Sequence, residues 1–330
     1  MDRGQIYSGE NAQKSIGGYT TIPLSNLLIY ITKISSPTMR ILSAYKRYKL
    51  AYRNYTSVMY NIYRKKNYIK VILRGGGEHN WISSYCTNYS FYYYYDLGNI
   101  QEYSDKKAEF LEFTYNDKKI KLCGVREGGG DLFGVFIQDD YKFLNVENQV
   151  IIDIGANIGD SSIYFALNNA KKVIALEPYP FSYNFAVKNI DLNGQEDKII
   201  LLNAGYGLDS NIIVDKNKVT NAGSSLIQSN IGKKIRIYSL KSLITDHGLS
   251  NDIILKMDCE GCEYALLEEE TDTLRKFRRI QIEYHYGYDQ LVNKLKENHF
   301  KVRFTEPIKR YNKDATNNKM LVGILYAERY

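Results

Sequence analysis

Two short stretches carry residue types whose spacing could do chemistry. The first is V-I-I-D-I-G-A-N-I-G-D at 150–160, followed by A-L-E-P at 175–178. Asp153 ends an apolar run, Gly155 and Gly159 follow in a tight loop with Asn157 between them, and Glu177 lies 22 residues beyond Gly155. Glycines let a backbone approach a ligand, and an acid at that separation can accept hydrogen bonds from ribose hydroxyls. A dinucleotide site wants G-x-G-x-x-G, so that a pyrophosphate rests on a helix N-terminus. Here Asn157 stands where the middle glycine would be, and Asp153 and Asp160 would repel a pyrophosphate. A cofactor with an amino acid and a ribose but no phosphate fits better. S-adenosylmethionine is the expected one; the alternatives are NAD and a glycine turn that binds nothing. Asn203 and Ala204, at the end of a further strand, would lie at the adenine edge.

The second stretch is L-K-M-D-C-E-G-C-E-Y-A-L-L at 255–267, with I-Q-I-E-Y-H at 280–285 beyond it. Methyl transfer is an in-line displacement, so it needs positioning and, for a hydroxyl acceptor, a group that takes a proton. His285 is the best base on its ordinary pKa, unless a carboxylate such as Glu283 satisfies it. Asp258 and Glu260 are the further catalytic candidates, and Lys256 and Glu263 are substrate or metal candidates. Asp258, Glu260 and Glu263 could instead hold a divalent cation that acidifies the hydroxyl, or simply order their loop. Cys259 and Cys262 form a C-x-x-C with no second pair, so a zinc site is incomplete, although a redox pair is conceivable.

The elements that must position these groups read as an alternating series. Residues 150–154, 173–176, 198–202, 253–257 and 279–283 are short apolar runs, as buried parallel strands are. Between them, 161–170, 181–192 and 263–274 have helical spacing, and 288–298 is a further helix before two terminal strands at 301–305 and 320–327. Pieces at 212–214 and 234–238 flank a loop at 220–225. Upstream, 68–73, 92–95, 110–115 and 118–123 favour strands, with a turn at Asn116-Asp117. Residues 132–144 read as a helix in which Gln138, Asp139 and Tyr141 come close enough to help close the cofactor pocket. Residues 37–67 repeat apolar and tyrosine positions at three- and four-residue steps, the signature of one face of a long helix.

The 330 residues hold 44 Lys and Arg against 37 Asp and Glu, but residues 1–75 alone hold 13 against 2. The basic character therefore belongs to an N-terminal arm that could meet nucleic acid or an anionic surface, or present a solvated face. The apolar patch at 24–34 is too short to span a bilayer. With no secretory pattern at the start, a cytoplasmic location is expected.

The four motifs V-I-I-D-I-G-A-N-I-G-D, A-L-E-P-Y-P, L-K-M-D-C-E-G-C-E and I-Q-I-E-Y-H, in that order, resemble the FkbM family of S-adenosylmethionine-dependent methyltransferases. The likeness is strong over 149–306 and weaker from 68 onward; at 239–241 this chain has S-L-K where the family usually has T-L-D. The resemblance implies an α/β, Rossmann-like class I methyltransferase fold: a seven-stranded, mostly parallel sheet with a reversed final hairpin, plus a helical and β-rich N-terminal extension. The expected divisions are a basic arm (1–67), a β-rich lead-in (68–148) and the methyltransferase domain (149–330). It further implies cofactor binding by Asp153, Gly155, Asn157, Gly159 and Glu177, with Asn203 and Ala204 near the adenine, and chemistry near Asp258, Glu260, Glu263 and His285. The acceptor would be a hydroxyl of a sugar, glycan or small metabolite; an RNA-binding or RNA-modifying enzyme is the alternative, and a homo-oligomer is compatible with either. Cys259 and Cys262 fall at variable positions of the family motif and are expected to be small packing residues.

Overall fold

The computed structural model describes residues 37–74, 76–83, 86–87, 89–90, 101–104, 109–125, 130–215, 228–310 and 320–329. The patch at 24–34, the strand at 92–95 and the loop at 220–225 lie outside them.

The chain enters through helices α1 (Pro37–Ala51) and α2 (Tyr55–Tyr63). One continuous helix was expected, and two are found, because a strand docks into the break. In β1 (Tyr68–Ile72), Ile72 N donates to Asn54 Oδ1 (2.8 Å), and Asn54 Nδ2 donates to the Lys70 carbonyl (2.9 Å). Arg53 N also donates to the Ile72 carbonyl, and Arg74 N to that of Ala51. Backbone groups that a helix would bond internally are bonded across the turn instead, which removes the reason for the helix to continue. Strand β1 pairs with β2 (Glu78–Ile82), and β3 (Gln101–Ser104), β4 (Glu109–Tyr115) and β5 (Lys118–Cys123) form a separate antiparallel sheet.

The expected helix at 132–144 is instead a single π turn, Phe133–Ile137, and a 3-10 turn, Lys142–Leu144. Asp139 between them, at φ +51°, is left-handed, a conformation that stops a helix in an L-residue. The broken segment folds Phe136 and Tyr141 onto Tyr164 and Phe165.

The second half builds the central sheet: β6 (Val150–Ile154), α3 (Asp160–Leu167), β7 (Lys172–Leu176), α4 (Pro180–Leu192) and β8 (Ile199–Leu202). Then come β9 (Ala204–Tyr206), β10 (Ser210–Val214), β11 (Lys233–Tyr238) and α5 (Leu240–Asp246). The chain ends through β12 (Ile253–Met257), α6 (Thr271–Leu274), β13 (Phe277–Tyr284), α7 (Asp289–Glu297), β14 (Lys301–Phe304), β15 (Ile308–Arg310) and β16 (Met320–Glu328). The order is β14-β16-β13-β12-β6-β7-β8, with β15 on the edge of β16. Strands β13, β12, β6, β7 and β8 run parallel, and β16 is antiparallel to both β13 and β14. This is the Rossmann-like class I methyltransferase fold with its reversed final hairpin. Strands β9 to β11 make a small sheet of their own.

Burial follows the pattern of apolar strands covered on both faces: all five residues of β12 are buried, as parallel sheets require. One core joins the N-terminal elements to α3 and one face of the sheet, and a second fills the opposite face. From β6 the chain goes one way through β7 and β8, then returns to the other side for β12 and β13. Ligands sit at such a switch, outside the carboxyl ends of the strands. Asp153 lies there near the end of β6, opposite Lys256, and Asp258 just past β12, its amide donating to the Ile154 carbonyl.

Candidate active site

The glycine loop is shaped by what it touches. Gly155 adopts φ +81°, and a Cβ there would run into the Asp258 carbonyl. A side chain is therefore excluded both by conformation and by the close approach of the two strand ends. Gly155 N and Ala156 N both donate to the Leu176 carbonyl at 3.0 Å, and Asn157 takes φ +48°. Gly159, at φ +86°, sits at the start of α3, where an added Cβ would lie 3.3 Å from Ala186 on α4.

Asp153 is wholly buried beneath this loop. Its Oδ2 accepts from Ser161 Oγ (2.7 Å) and Ser162 Oγ (2.6 Å); its Oδ1 pairs with Lys256 Nζ at 2.9 Å. The pair is dictated by register, since Lys256 stands opposite Asp153 between the parallel strands β12 and β6. Lys256 Nζ also donates to the Gly155 carbonyl at 2.8 Å. Burial would lower the lysine's pKa, but Asp153, Asp258 and Asp160 outweigh it and hold the ammonium charged. Asp153 and Lys256 thus form a buried clamp across the floor of the site rather than its wall.

Glu177, just past β7, is 6% exposed. Its two oxygens accept from Asn157 N and Tyr179 N, each at 2.9 Å. Burial raises its pKa to about 8, with those two amides and Lys256 pulling the other way. Asn203 Nδ2 donates to the Glu177 and Pro178 carbonyls, and its Oδ1 is buried without a partner. Ala204 begins β9 directly after it and is buried. Gly155, Asn157, Glu177 and Asn203 are therefore brought to one edge.

On the other side of the switch, Asp258 and Glu260 are half-buried and meet His285; one ligand-type atom of each lies within 4.8 Å of the others. His285 is 1% exposed. Its Nε2 lies 3.0 Å from Glu260 Oε2, and its Nδ1 lies 3.0 Å from Glu263 Oε1. Glu263, fully buried, also accepts from the His285 amide (2.9 Å) and from the Gly261 amide (2.8 Å). Burial alone would lower the histidine's pKa, but the hydrogen bonds it donates to Glu260 and Glu263 raise it to about 11. At neutral pH both ring nitrogens are donors, and the ring is a cation between two carboxylates.

Tyr141, just ahead of the second turn of the broken segment, has its ring centroid 5.7 Å from Lys256 Nζ. Burial and the charges of Asp258, Asp153, Glu283 and Asp160 push its hydroxyl far above its ordinary pKa, so it remains a protonated donor. Nearby, burial and the charges of Asp131 and Asp139 raise Asp140 to about 7. Burial and Asp131 raise Asp160 to about 6, against the pull of Lys256.

Sequence reasoning missed three parts of this arrangement. The partners of His285 are Glu260 and Glu263, not Glu283, and no linear spacing announces contacts across 25 and 22 residues. Ser161 and Ser162 carried no signal beyond lying at a helix start. Cys259 and Cys262 form a disulfide rather than packing as two small thiols, and here the C-x-x-C spacing was the signal. The expected helix at 263–274 is instead a 3-10 stretch, Cys262–Glu268, followed by the four residues of α6. Gly261, left-handed at φ +119°, immediately precedes that stretch.

Comparison with known proteins gives one family-model match and several distant likenesses. Residues 153–303 match the methyltransferase FkbM domain. A tRNA(Phe) (4-demethylwyosine(37)-C(7)) aminocarboxypropyltransferase of Pyrococcus horikoshii is 35% identical over 63 residues, 19% of this chain and 21% of that protein. The chain thus spans about a fifth of the length of that relative. Among solved structures, M. jannaschii TYW2 in complex with AdoMet is 17% identical, covering 70% of this chain and 94% of its own, at a TM-score of 0.35. A precorrin-6Y C5,15-methyltransferase from Geobacter metallireducens is also 17% identical, covering 58% and 89% at a TM-score of 0.34. The segment 153–303, which matches the methyltransferase FkbM domain, carries Asp153, Glu177, Asp258, Glu260 and His285.

Proposed function

We propose that this protein uses S-adenosylmethionine to methylate a hydroxyl of a neutral, sugar-like or small polyol acceptor. The observation that carries the cofactor half is the pairing of Glu177 with Asn203. Each Glu177 oxygen is held by one loop amide, which leaves lone pairs for ribose hydroxyls, and Asn203 Oδ1 is an unpaired buried acceptor beside it. An unmet acceptor in such a position costs stability unless a ligand donates to it. The residues present therefore fit the group: Gly155, Asn157, Gly159 and Glu177 would hold the sugar end, and Asn203 with the Ala204 backbone the adenine.

S-adenosylmethionine, when bound, supplies an activated methyl on a sulfonium. The chain's own task is then to orient the acceptor and take its proton. Asp258 is our proton acceptor, because His285 already holds both its protons between Glu260 and Glu263. Glu260, fixed by the imidazolium, would orient a second hydroxyl of the acceptor. Carboxylates dominate this side, with Asp258, Glu260 and Glu283 all near the strand ends. A phosphate would be repelled, which favours a neutral acceptor. For a divalent cation, Asp258, Glu260 and His285 are the only such group among the described residues, and the ring's engagement with two carboxylates argues against it as a ligand.

A second reading, RNA as acceptor, is favoured by residues 37–74, which hold ten Lys and Arg and no acid, with Tyr60, Tyr63 and Tyr68 exposed among them. Tyrosines interleaved with cations suit stacked bases.

Calorimetric titration with S-adenosylhomocysteine tests the cofactor: micromolar binding that Glu177→Ala and Asp153→Ala abolish is expected, and no binding by the intact protein overturns the reading. Incubation with sugars, polyols and RNA, each followed by mass analysis for an added methyl, then separates the acceptors. Modification of RNA alone would replace the first acceptor with the second.

A further inference from the structure

We propose that Cys259 and Cys262 are a reversible dithiol–disulfide pair that sets the acceptor loop: oxidised, it holds Glu260 against His285; reduced, it lets that contact go. Three observations point there. First, the bridge closes a ring over Cys259-Glu260-Gly261-Cys262, directly after Asp258 and directly before Glu263. Inside it Glu260 is left-handed at φ +56° and Gly261 at +119°. A non-glycine residue persists in that region only when its surroundings over-determine it, and the covalent ring is one of those surroundings. Second, both sulfurs belong to half-buried residues. The other two cysteines are not: Cys86 is fully buried with its thiol pushed up to about 12 by burial, and Cys123 is 3% exposed. Third, the ring leans on the glycine loop. The space a Gly155 Cβ would need is taken by the Asp258 carbonyl, with Cys259 Cα at 3.3 Å. A change in the ring is therefore felt on both sides of the site.

The exchange is an ordinary two-electron step. One thiolate of an external dithiol attacks a bridge sulfur, and the S–S bond breaks as the other cysteine leaves as thiolate. The second thiol of the reductant then closes its own disulfide and releases the attacked cysteine. Two electrons pass to the protein, two protons settle on Cys259 and Cys262, and the reductant leaves as a cyclic disulfide. Glu263 Oε2 lies 3.6 Å from Cys259 Sγ, so a carboxylate opposes charge there and Cys262 is the sulfur that leaves first. The consequence for acceptor handling rests on the reading of Asp258 and Glu260 given above; the redox step does not.

The intact protein, equilibrated under native conditions with graded ratios of reduced to oxidised dithiothreitol, tests this. Alkylation and peptide mass analysis should show Cys259 and Cys262 opening together while Cys86 and Cys123 stay unlabelled. Opening only after denaturation would make the bridge a fixed brace and overturn the proposal. Hydrogen exchange on the same samples needs no ligand. The Gly261 and His285 amides, both bonded to Glu263, should exchange about tenfold faster once the bridge opens, and unchanged exchange would also overturn it. A C259S/C262S variant should match the reduced protein in either buffer. Where it fails to fold, the wild-type comparison stands alone, and loss of S-adenosylhomocysteine binding in both redox states would count against the cofactor reading only.

Discussion

The two halves of the site, on either side of the switch between β6 and β12, are held by different means. On the cofactor half, acids are tied to backbone amides and to the first turn of a helix: Glu177 to Asn157 and Tyr179, Asp153 to Ser161 and Ser162. On the acceptor half, acids are tied to one another through a histidine, Glu260 to His285 to Glu263. The first arrangement lies within one strand–loop–helix–strand unit, between Asp153 and Tyr179. The second depends on side chains brought from β13 to the loop after β12, and a single substitution can undo it. Lys256, reaching from β12 to Asp153, crosses the switch with a full charge at each end.

The largest expected effect comes from removing either buried cation. His285→Ala leaves Glu263 charged and fully enclosed, and Lys256→Met leaves Asp153 so; breaking a buried ion pair by removing one partner costs about 3–5 kcal/mol. Urea unfolding should show both losses. They should differ in function: Lys256→Met weakens S-adenosylhomocysteine binding because Asp153 and the Gly155 carbonyl lose their common partner, whereas His285→Ala leaves that binding near wild type. Equal losses of binding would show that the two halves are one unit. The His285 contribution also has a pH signature. Its folded pKa, about 11, lies above the ordinary 6.5. The stability it adds is therefore complete below pH 6.5 and falls away as pH rises toward 11. The gap between wild type and His285→Ala should narrow across that window.

Next in size is Gly155→Ala. The left-handed backbone costs an L-residue about 1–3 kcal/mol, and the new methyl would displace the Asp258 carbonyl, moving both halves together. Loss of S-adenosylhomocysteine binding with only a moderate fall in melting temperature is expected. Asn157→Ala, at a position where asparagine tolerates φ +48°, should be milder in both measurements.

The cofactor half was largely legible in the sequence because its logic is sequential. Asp153, Gly155, Asn157, Gly159 and Glu177 fall on one strand–loop–helix–strand unit, and apolar periodicity locates its strands within a residue or two. The acceptor half was legible only as a cluster of residue types. That His285 answers to Glu260 and Glu263, and so holds protons rather than taking them, depends on how β13 lies beside β12 and on the turn at Gly261. The same limit explains the helices that were misread. Residues 37–67 have unbroken helical periodicity, yet the hydrogen bonds that break them come from Lys70 and Ile72, on a strand whose docking position the pattern does not encode. At 132–144 the interruption is Asp139, a residue that permits a left-handed turn without demanding one.

The smallest and most discriminating effect is a pH dependence confined to one half. Glu177 has a folded pKa of about 8, well above its ordinary value, so the folded protein holds a proton there that the unfolded chain has lost by mid-range pH. That term makes the fold less stable as pH rises from about 4.5 to about 8. Cofactor binding should run the opposite way, since ribose hydroxyls donate to a carboxylate and favour the ionised form. S-adenosylhomocysteine affinity should therefore increase with pH up to about 8, by at most about tenfold per unit, and then level off. Glu177→Gln should bind more weakly and show a flat profile, while Glu260→Gln on the acceptor half should keep the slope. A slope that survives Glu177→Gln would assign the proton to another group of the cofactor half, with Asp160, raised to about 6, next to be substituted.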